Sequence, residues 1–390
     1  MSETETTSRR DQILDAAFSL VQTNDRWSLT EAASKIGITK TAIYRHFKNK
    51  AEIEAAMQVL LYKDLQSVLD ASAPTPEGLR KSLTGFFRTH PGHLFLIMHS
   101  SISDNLSEQH LINYLEKESA RVAQFFRDLA RLPENAQREL TTHILKNAVS
   151  IFLASFQVSG IEEMQDELIS ILGRGFPELS KADEERMDEL EAASAIHTSE
   201  LGPGNKLLEA IAETIKEFGI SSTTIERIAE KMGKAKSSLY FYFSNKNEML
   251  LELVKKETET IIRLCASRAG EGKNLSEQIF IIMVVQANYL LINPNILPVF
   301  NWIRYETVRH TGETPHMPID LEIFLKPYHI DELFPHGQNQ KLFAIGLLKW
   351  ASILSTSVII QGLKAGENEG QLRRNIRTMY KSMLNGDKEV

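Results

Sequence analysis

Apolar positions recur at helical spacing almost from the start of the chain. Ile13, Leu14, Ala17, Phe18 and Val21 fall on one stripe and predict a first helix with a single buried face. Ser28 is placed to N-cap a second helix that turns Leu29, Ala32, Ala33 and Ile36 inward. Gly37 ends it, where a helix C-terminus calls for positive φ. Thr39 is placed to cap a third helix, Lys40 to Phe47, with Ala42 or Ile43 and Phe47 packing back. Two helices joined by a glycine turn, the second short and outwardly polar, describe a helix-turn-helix. A long helix is expected next, from Lys50 to Ala71, with Ile53, Met57, Leu60, Leu61, Leu65, Val68 and Leu69 in period, broken by Pro74-Thr75-Pro76. Helical patterns follow over Glu77–Thr89, Leu94–Ser103, Ser107–Arg131 and Gln137–Gly160. No segment sustains period-two alternation, so the fold is expected to be all-α.

The pattern then repeats. With Gly37 set on Gly233, Leu29, Ala33, Lys35, Tyr44, Phe47, Asn49 and Lys50 fall without a gap on Ile225, Ala229, Lys231, Tyr240, Phe243, Asn245 and Lys246. After a two-residue adjustment, Ile13, Leu14, Ala17 and Val21 match Leu207, Leu208, Ile211 and Ile215. Beyond the heads, His90-Pro91 corresponds to Asn293-Pro294, Leu132-Pro133 to Phe334-Pro335, and Leu145-Lys146 to Leu348-Lys349. A period near 200 residues is too long for a solenoid and points to duplication of a whole subunit. The second copy offers a connecting helix, Lys246 to Ala269, broken by Gly270-Glu271-Gly272, then Ser276–Ile292, Ile296–Val308 and Gln340–Gly362. Between the copies, Glu178 to Gly204 holds eight acidic residues against two basic ones. Its Ser180-Lys181-Ala182-Asp183 run suggests a cap, so part of this linker is expected to be a solvated helix. Fully extended it would reach on the order of 85 Å.

Composition narrows the function classes. The chain has 390 residues, 42% of them hydrophobic, enough for more than one core. The start, MSETETTSRR, lacks an apolar signal region, and no run of eighteen uninterrupted apolar residues occurs, so neither secretion nor a membrane span is expected. The single cysteine, Cys265, excludes an internal disulfide framework and suits a cytoplasmic setting. Net charge is −7, but its distribution is uneven: residues 9–50 carry +4 and residues 205–246 carry +2, leaving −13 on the rest. Positive heads on an acidic body suit a protein that presents one face to nucleic acid. A solvated helical surface gives the same charge count.

The stretches LTEAASKIGITKTAIYRHFKNKAEI and IERIAEKMGKAKSSLYFYFSNKNEML both resemble TetR-family DNA-binding domains. Each has a glycine at the turn, a Tyr-x-His/Tyr-Phe run, and Asn-Lys opening a long fourth helix. The resemblance implies two tandem TetR-like units, each a three-helix head and a helical ligand-binding and dimerisation body. The expected division is a head at 1–50, a body at 51–178, an acidic linker at 179–204, a second head at 205–246 and a second body at 247–390. It further implies that Lys40, Thr41 and Ala42, with Lys236, Ser237 and Ser238, stand at the base-facing start of the recognition helix. Tyr44 and His46, with Tyr240 and Tyr242, then approach phosphate, and Arg45 beside His46 joins the DNA-binding candidates. Lys50 and Lys246, with the caps Ser28, Thr39 and Thr224, complete the candidate interface; a helix N-terminus also favours phosphate.

The heads differ in sequence. Ala235 stands where the first head has Thr39, and Phe241 where it has Arg45, so an asymmetric, imperfectly palindromic operator is expected. The nearly all-apolar runs Ala148–Val158 and Ala351–Ile360 are expected to be buried on several sides. The resemblance makes them dimer-bundle helices, here pairing within one chain as a monomeric pseudo-dimer; the alternative is that each half pairs with a second chain. Prolines 315, 318, 327 and 335 interrupt the second body where the first keeps an unbroken pattern, Ser107 to Arg131, so the two ligand pockets are expected to differ.

No cofactor, metal or catalytic constellation is expected. His90, His93 and His99, and His310, His316 and His329, lack ligand spacing. No phosphate loop or nucleophile elbow occurs. Phe86, Phe87, Phe95, Phe125, Phe126, Phe152, Phe156, Tyr289, Phe300, Trp302 and Tyr305 suit either plain core or the lining for a small apolar effector. The sequence thus predicts a ligand-responsive repressor of double-stranded DNA operators. The competing reading is a ligand- or partner-binding scaffold whose heads no longer bind DNA.

Overall fold

The computed structural model describes residues 8–23, 27–73, 75–103, 106–155, 173–176, 179, 181–201, 205–219, 222–300, 324 and 340–386, all of them helical or irregular. His310, His316 and His329, Trp302 and Tyr305, Phe156 and the proline-rich stretch lie outside these residues. The described residues form two compact units.

The first unit contains α1 (Arg9–Thr23), α2 (Leu29–Lys35), α3 (Lys40–Ile43), α4 (Lys50–Ala71), α5 (Pro76–Thr89), α6 (Pro91–Ser103), α7 (Leu106–Glu118) and α8 (Ala120–Arg131). Its core is continuous from head to body. Ile13, Phe18 and Val21 of α1, Ala32 and Ala33 of α2, and Ile43 pack with Ile53, Met57 and Leu61 of α4 and with Phe87, Leu94 and Phe95 beyond. A polar contact reinforces the junction. His93 on α6 stacks on Phe18 with ring centroids 4.1 Å apart, and its Nε2 lies 2.9 Å from Asp64 Oδ2 on α4. Burial lowers the His93 pKa, against the pull of Asp64 in the other direction. Gly92 is required here, because a Cβ would stand 2.5 Å from the Phe18 carbonyl oxygen.

Two expectations for this unit are corrected. The pattern from Ser107 to Arg131 is two helices, not one. Ser119 is extended (φ −111°, ψ 112°), and its hydroxyl accepts from the Val122 N–H at 3.3 Å and donates to Asp70 at 2.7 Å. Arg121 then reaches the carbonyls of Leu69 and Ser72 at the end of α4. The third head helix stops at Ile43, and residues 44–46 continue as a turn with the Phe47 N–H bonded to the Ile43 carbonyl at 3.0 Å. Four residues of helix suffice because Ile43 and Phe47 are both anchored in the core.

The second unit contains α10 (Glu184–Ala193), α11 (Lys206–Phe218), α12 (Ile225–Lys231), α13 (Lys236–Tyr240), α14 (Lys246–Ala266), α15 (Leu275–Ile292), α16 (Gln340–Lys364) and α17 (Glu369–Asn385). Helix α9 (Glu134–Ser155) contributes its residues through Ser150 to this unit and those from Ile151 to the first. At the centre, α15 is buried from Leu275 through Leu290 and packs along α16, whose Ala351, Leu354, Val358 and Ile359 are also buried. Both helices are long and apolar enough to cross a membrane, yet both are mostly covered inside the unit. Polar side chains fix their register: Gln286 Nε2 donates to the Ser352 carbonyl at 3.1 Å, and Ser355 Oγ to the Met283 carbonyl at 2.8 Å. The connecting helix α14 meets α15 through the buried Glu257, which accepts from Tyr289 and from the α11 cap Asn205.

The acidic stretch between the sequence copies is a helix, α10, capped by Asp183; Ser180 lies outside the described residues. It is not simply solvated, because Met187 and Leu190 are buried. Its acidic face is neutralised by the unit itself. Arg377 on α17 pairs with Glu184, Asp188 and Glu191, Lys381 with Glu184, and Arg186 with Glu277 on α15. The Lys381 contact holds the Glu184 carboxyl below its ordinary range. Cys265 is buried in α14, and burial pushes its thiol up to about 12, leaving an inert core residue.

Candidate nucleic-acid interface

In the first head, short-range hydrogen bonds build the turn. Ser28 accepts from the Glu31 N–H, and Glu31 returns a carboxylate to the Ser28 N–H at 2.6 Å, a complete capping box. Gly37 takes φ +68°, and the chain reverses with the Ile38 N–H bonded to the Ala33 carbonyl at 2.9 Å. Thr39 Oγ1 accepts from the Ala42 N–H at 3.2 Å and starts α3. Lys40 and Thr41 are exposed, Ala42 is half-buried, and Tyr44 is 48% exposed on the turn beside exposed Arg45 and half-buried His46. Asn49 caps α4 through the Glu52 N–H at 2.9 Å. Next to it Lys50 pairs with Glu54 at 3.3 Å and lies 4.7 Å above the Trp27 ring. The first head therefore presents Lys40, Thr41, Tyr44 and Arg45 together, from an end pinned to a buried core.

Two residues that the sequence pattern did not single out hold this end in place. Arg10 donates to the His46 carbonyl at 3.0 Å and sits 4.2 Å over the Phe47 ring, tying α1 to the turn after α3. Trp27 is buried and supports Lys50 from below. An aromatic residue just before a cap and an arginine in the first turn were the available signals.

The second head has the same turn geometry, with Gly233 at φ +64° and Thr224 capping α12 through the Arg227 N–H. Asn245 caps α14 through the Glu248 N–H at 2.9 Å, beside half-buried Lys246. Ala235 supplies no side-chain cap to α13, as its sequence position implies. Lys236, Ser237 and Ser238 are exposed, Tyr240 is 41% exposed, and Tyr242 is 71% exposed. Phe241 is 82% exposed and packs edge-on against Tyr242, with centroids 5.1 Å apart. Glu226 on α12, also missed in the sequence, binds Lys236 and accepts from the Tyr240 hydroxyl at 3.2 Å. That hydrogen-bonded pairing with Lys236 depresses the Glu226 carboxyl to about 2.

Among the described residues, no group of three His, Cys, Asp or Glu side chains converges to hold a metal ion. His90 and His93 belong to the α1–α6 junction, where their rings meet edge-on. Of the aromatic residues considered for an effector cavity, Phe87, Phe95 and Tyr289 are core, while Phe125 is exposed.

Residues 207–253 match the family of bacterial regulatory proteins, tetR family. The fatty acid metabolism regulator protein of Bacillus subtilis (strain 168) is 26% identical over 78 residues, which span 20% of this chain and 40% of that regulator. The chain thus matches about two-fifths of the length of this curated relative. Among solved structures, the fatty acid degradation regulator FadR of Bacillus halodurans aligns with 53% of this chain and 99% of its own at 16% identity and a TM-score of 0.34. A TetR-family transcriptional regulator of Haemophilus influenzae aligns with 45% of this chain and 96% of its own at 17% identity and a TM-score of 0.30. The sequence match falls on the stretch that folds as α11 to α13 and the start of α14, the three-helix head and the helix that follows it. The second head of this chain is therefore similar in sequence to the tetR family of bacterial regulatory proteins over residues 207–253.

Proposed function

We propose that the chain is a ligand-responsive transcriptional repressor whose two heads, at 1–50 and 205–246, act together on one imperfectly palindromic operator. The bodies at 51–178 and 247–390 bind effector and pair with each other, so that one polypeptide replaces the usual homodimer. The observation that carries this reading is the repeated head: a glycine turn, an exposed Lys and Tyr at one register, and an Asn-capped helix opening with Lys. Such a surface offers cations and helix N-termini to phosphate while short side chains at positions 41, 42, 237 and 238 face the base edges. Two recognition elements serving successive major grooves need a spacing of about 34–36 Å. The effector is expected to be a small apolar molecule, with an acyl compound the first class to try, given the role named for the Bacillus subtilis relative. Effector acts only by favouring one conformation over another. In the first unit the Phe18–His93–Asp64 contact gives a route from body to head, since it joins α1, α6 and α4.

Polarisation titrations on duplexes from upstream of the chain's own gene test this reading. Binding should weaken steeply with salt, log K falling in proportion to log salt. Undetectable or salt-insensitive binding sinks it. A second reading, a scaffold with decayed heads, has one observation in its favour: Lys236 and Tyr240 are engaged within the protein. Neutralising Lys40, Lys50, Lys236 and Lys246 together separates the two, since a scaffold keeps its activity and a DNA-binding regulator loses it.

A further inference from the structure

The second head carries an acidic side chain at a place where the first head has none. Glu226 lies in the first turn of α12, and the register that sets Tyr44 on Tyr240 places exposed Thr30 at its position in the first head. The Glu226 carboxylate takes both the Lys236 ammonium and the Tyr240 hydroxyl, while Lys236 also sits 5.2 Å from the Tyr240 ring centroid. The cation and the hydroxyl that this head would offer to a phosphate oxygen thus already converge on one anionic oxygen. In the first head, Lys40 and Tyr44 have no ion-pair or side-chain hydrogen-bond partner among the described residues. The depressed Glu226 carboxyl keeps its charge throughout the neutral and mildly acidic range.

We propose that Glu226 sets the DNA affinity of the second head by standing in, from within the protein, for a DNA phosphate that must displace it. The inference rests on the reading that the heads bind DNA. Its physical content is an exchange. A lysine that moves from water to a phosphate releases a counterion, whereas one that leaves a carboxylate for a phosphate first gives up an existing ion pair. Glu226 is then left unpaired beside the polyanion. Because exposed ion pairs are weak, the contact is displaceable and attenuates binding without abolishing it. The two heads consequently bind the same duplex with unequal strength, and the inequality is written in one residue.

The test uses the full chain, a fluorescein-labelled random-sequence duplex of about 30 base pairs, and polarisation titrations across a salt series. Glu226→Gln should bind about three- to tenfold tighter near 0.1 M salt, with a steeper log K against log salt slope, because salt no longer loosens a competing ion pair as it weakens the phosphate contact. Thr30→Glu in the first head should weaken binding by a similar factor. In a Lys236→Ala background, Glu226→Gln should no longer change the slope. An unchanged affinity and slope for Glu226→Gln, in a protein that binds the duplex and loses affinity on Lys40→Ala, overturns the inference while leaving the proposed function standing. The same gain with and without Lys236 also overturns it, since that reports general charge repulsion. Absence of any binding by the unaltered chain at low salt overturns both.

Discussion

The two heads share a backbone and differ in what their surfaces are free to do. Each turns at a glycine with positive φ and each opens its long helix with an asparagine cap. In the first, the recognition helix is capped by Thr39, its far end is braced by Arg10, and Lys50 rests on buried Trp27. In the second, the cap is missing, Thr223 occupies the place of Trp27, and Lys236 is held by Glu226. A helix-turn-helix is thus specified by very few positions, all of them local, whereas its readiness for a polyanion depends on side chains that the motif leaves open.

The comparison can be broken most forcefully at the core. Trp27→Ala should destabilise the first unit by about 3–5 kcal/mol, the range for truncating a buried aromatic. Thr223→Ala in the second should cost about 1 kcal/mol, since it loses one hydrogen bond to the Gly219 carbonyl. Urea unfolding followed by circular dichroism measures both, and equal losses would show that the heads are anchored alike.

Next come the cations. Lys40→Ala should weaken binding to a random duplex about three- to tenfold near 0.1 M salt, whereas Lys236→Ala should change it by less than about twofold. Polarisation titrations decide this, and a larger effect at Lys236 reverses the ranking of the heads. The caps should have smaller effects. Thr39→Ala should cost about 1 kcal/mol locally and Ala235→Thr should return about 0.5–1 kcal/mol, read as amide exchange protection in α3 and α13.

The smallest effect is expected from pH and separates the units rather than the heads. The pKa of His93 is lowered by burial, so its contribution is present above the unfolded histidine value of about 6.5 and is lost as pH falls below it. The urea midpoint of the first unit should therefore drop between about pH 7 and pH 5. His93→Gln should flatten that dependence, and an unchanged slope would remove His93 from the junction's energetics.

Much of the first head was legible because its determinants are close in sequence. Ser28, Gly37, Thr39 and the stripe from Ile13 to Val21 act within one or two helical turns, and each stands where its pattern implies. The bounds of α4 follow equally from Asn49 at one end and the Pro74-Thr75-Pro76 break at the other. The interruption at Ser119 was not legible, because it depends on Asp70 and on Arg121 reaching the end of α4, about 50 residues away in sequence. The acidic helix α10 read as solvated because its partners, Arg377 and Lys381, lie near the other end of the chain. Glu226 was passed over for a related reason. Its significance appears only when α12 and α13 cross at the turn and bring positions 226, 236 and 240 onto one face.

The sequence by itself determined that the described residues are helical and that two stretches share the same cap and glycine-turn pattern, since helix periods, caps and glycine turns are written in neighbouring residues. Only the tertiary structure decided which charges are spent inside the protein and which remain outside. An ion pair depends on distance in space, and residues separated by a turn, or by half the chain, acquire that distance only when the helices pack.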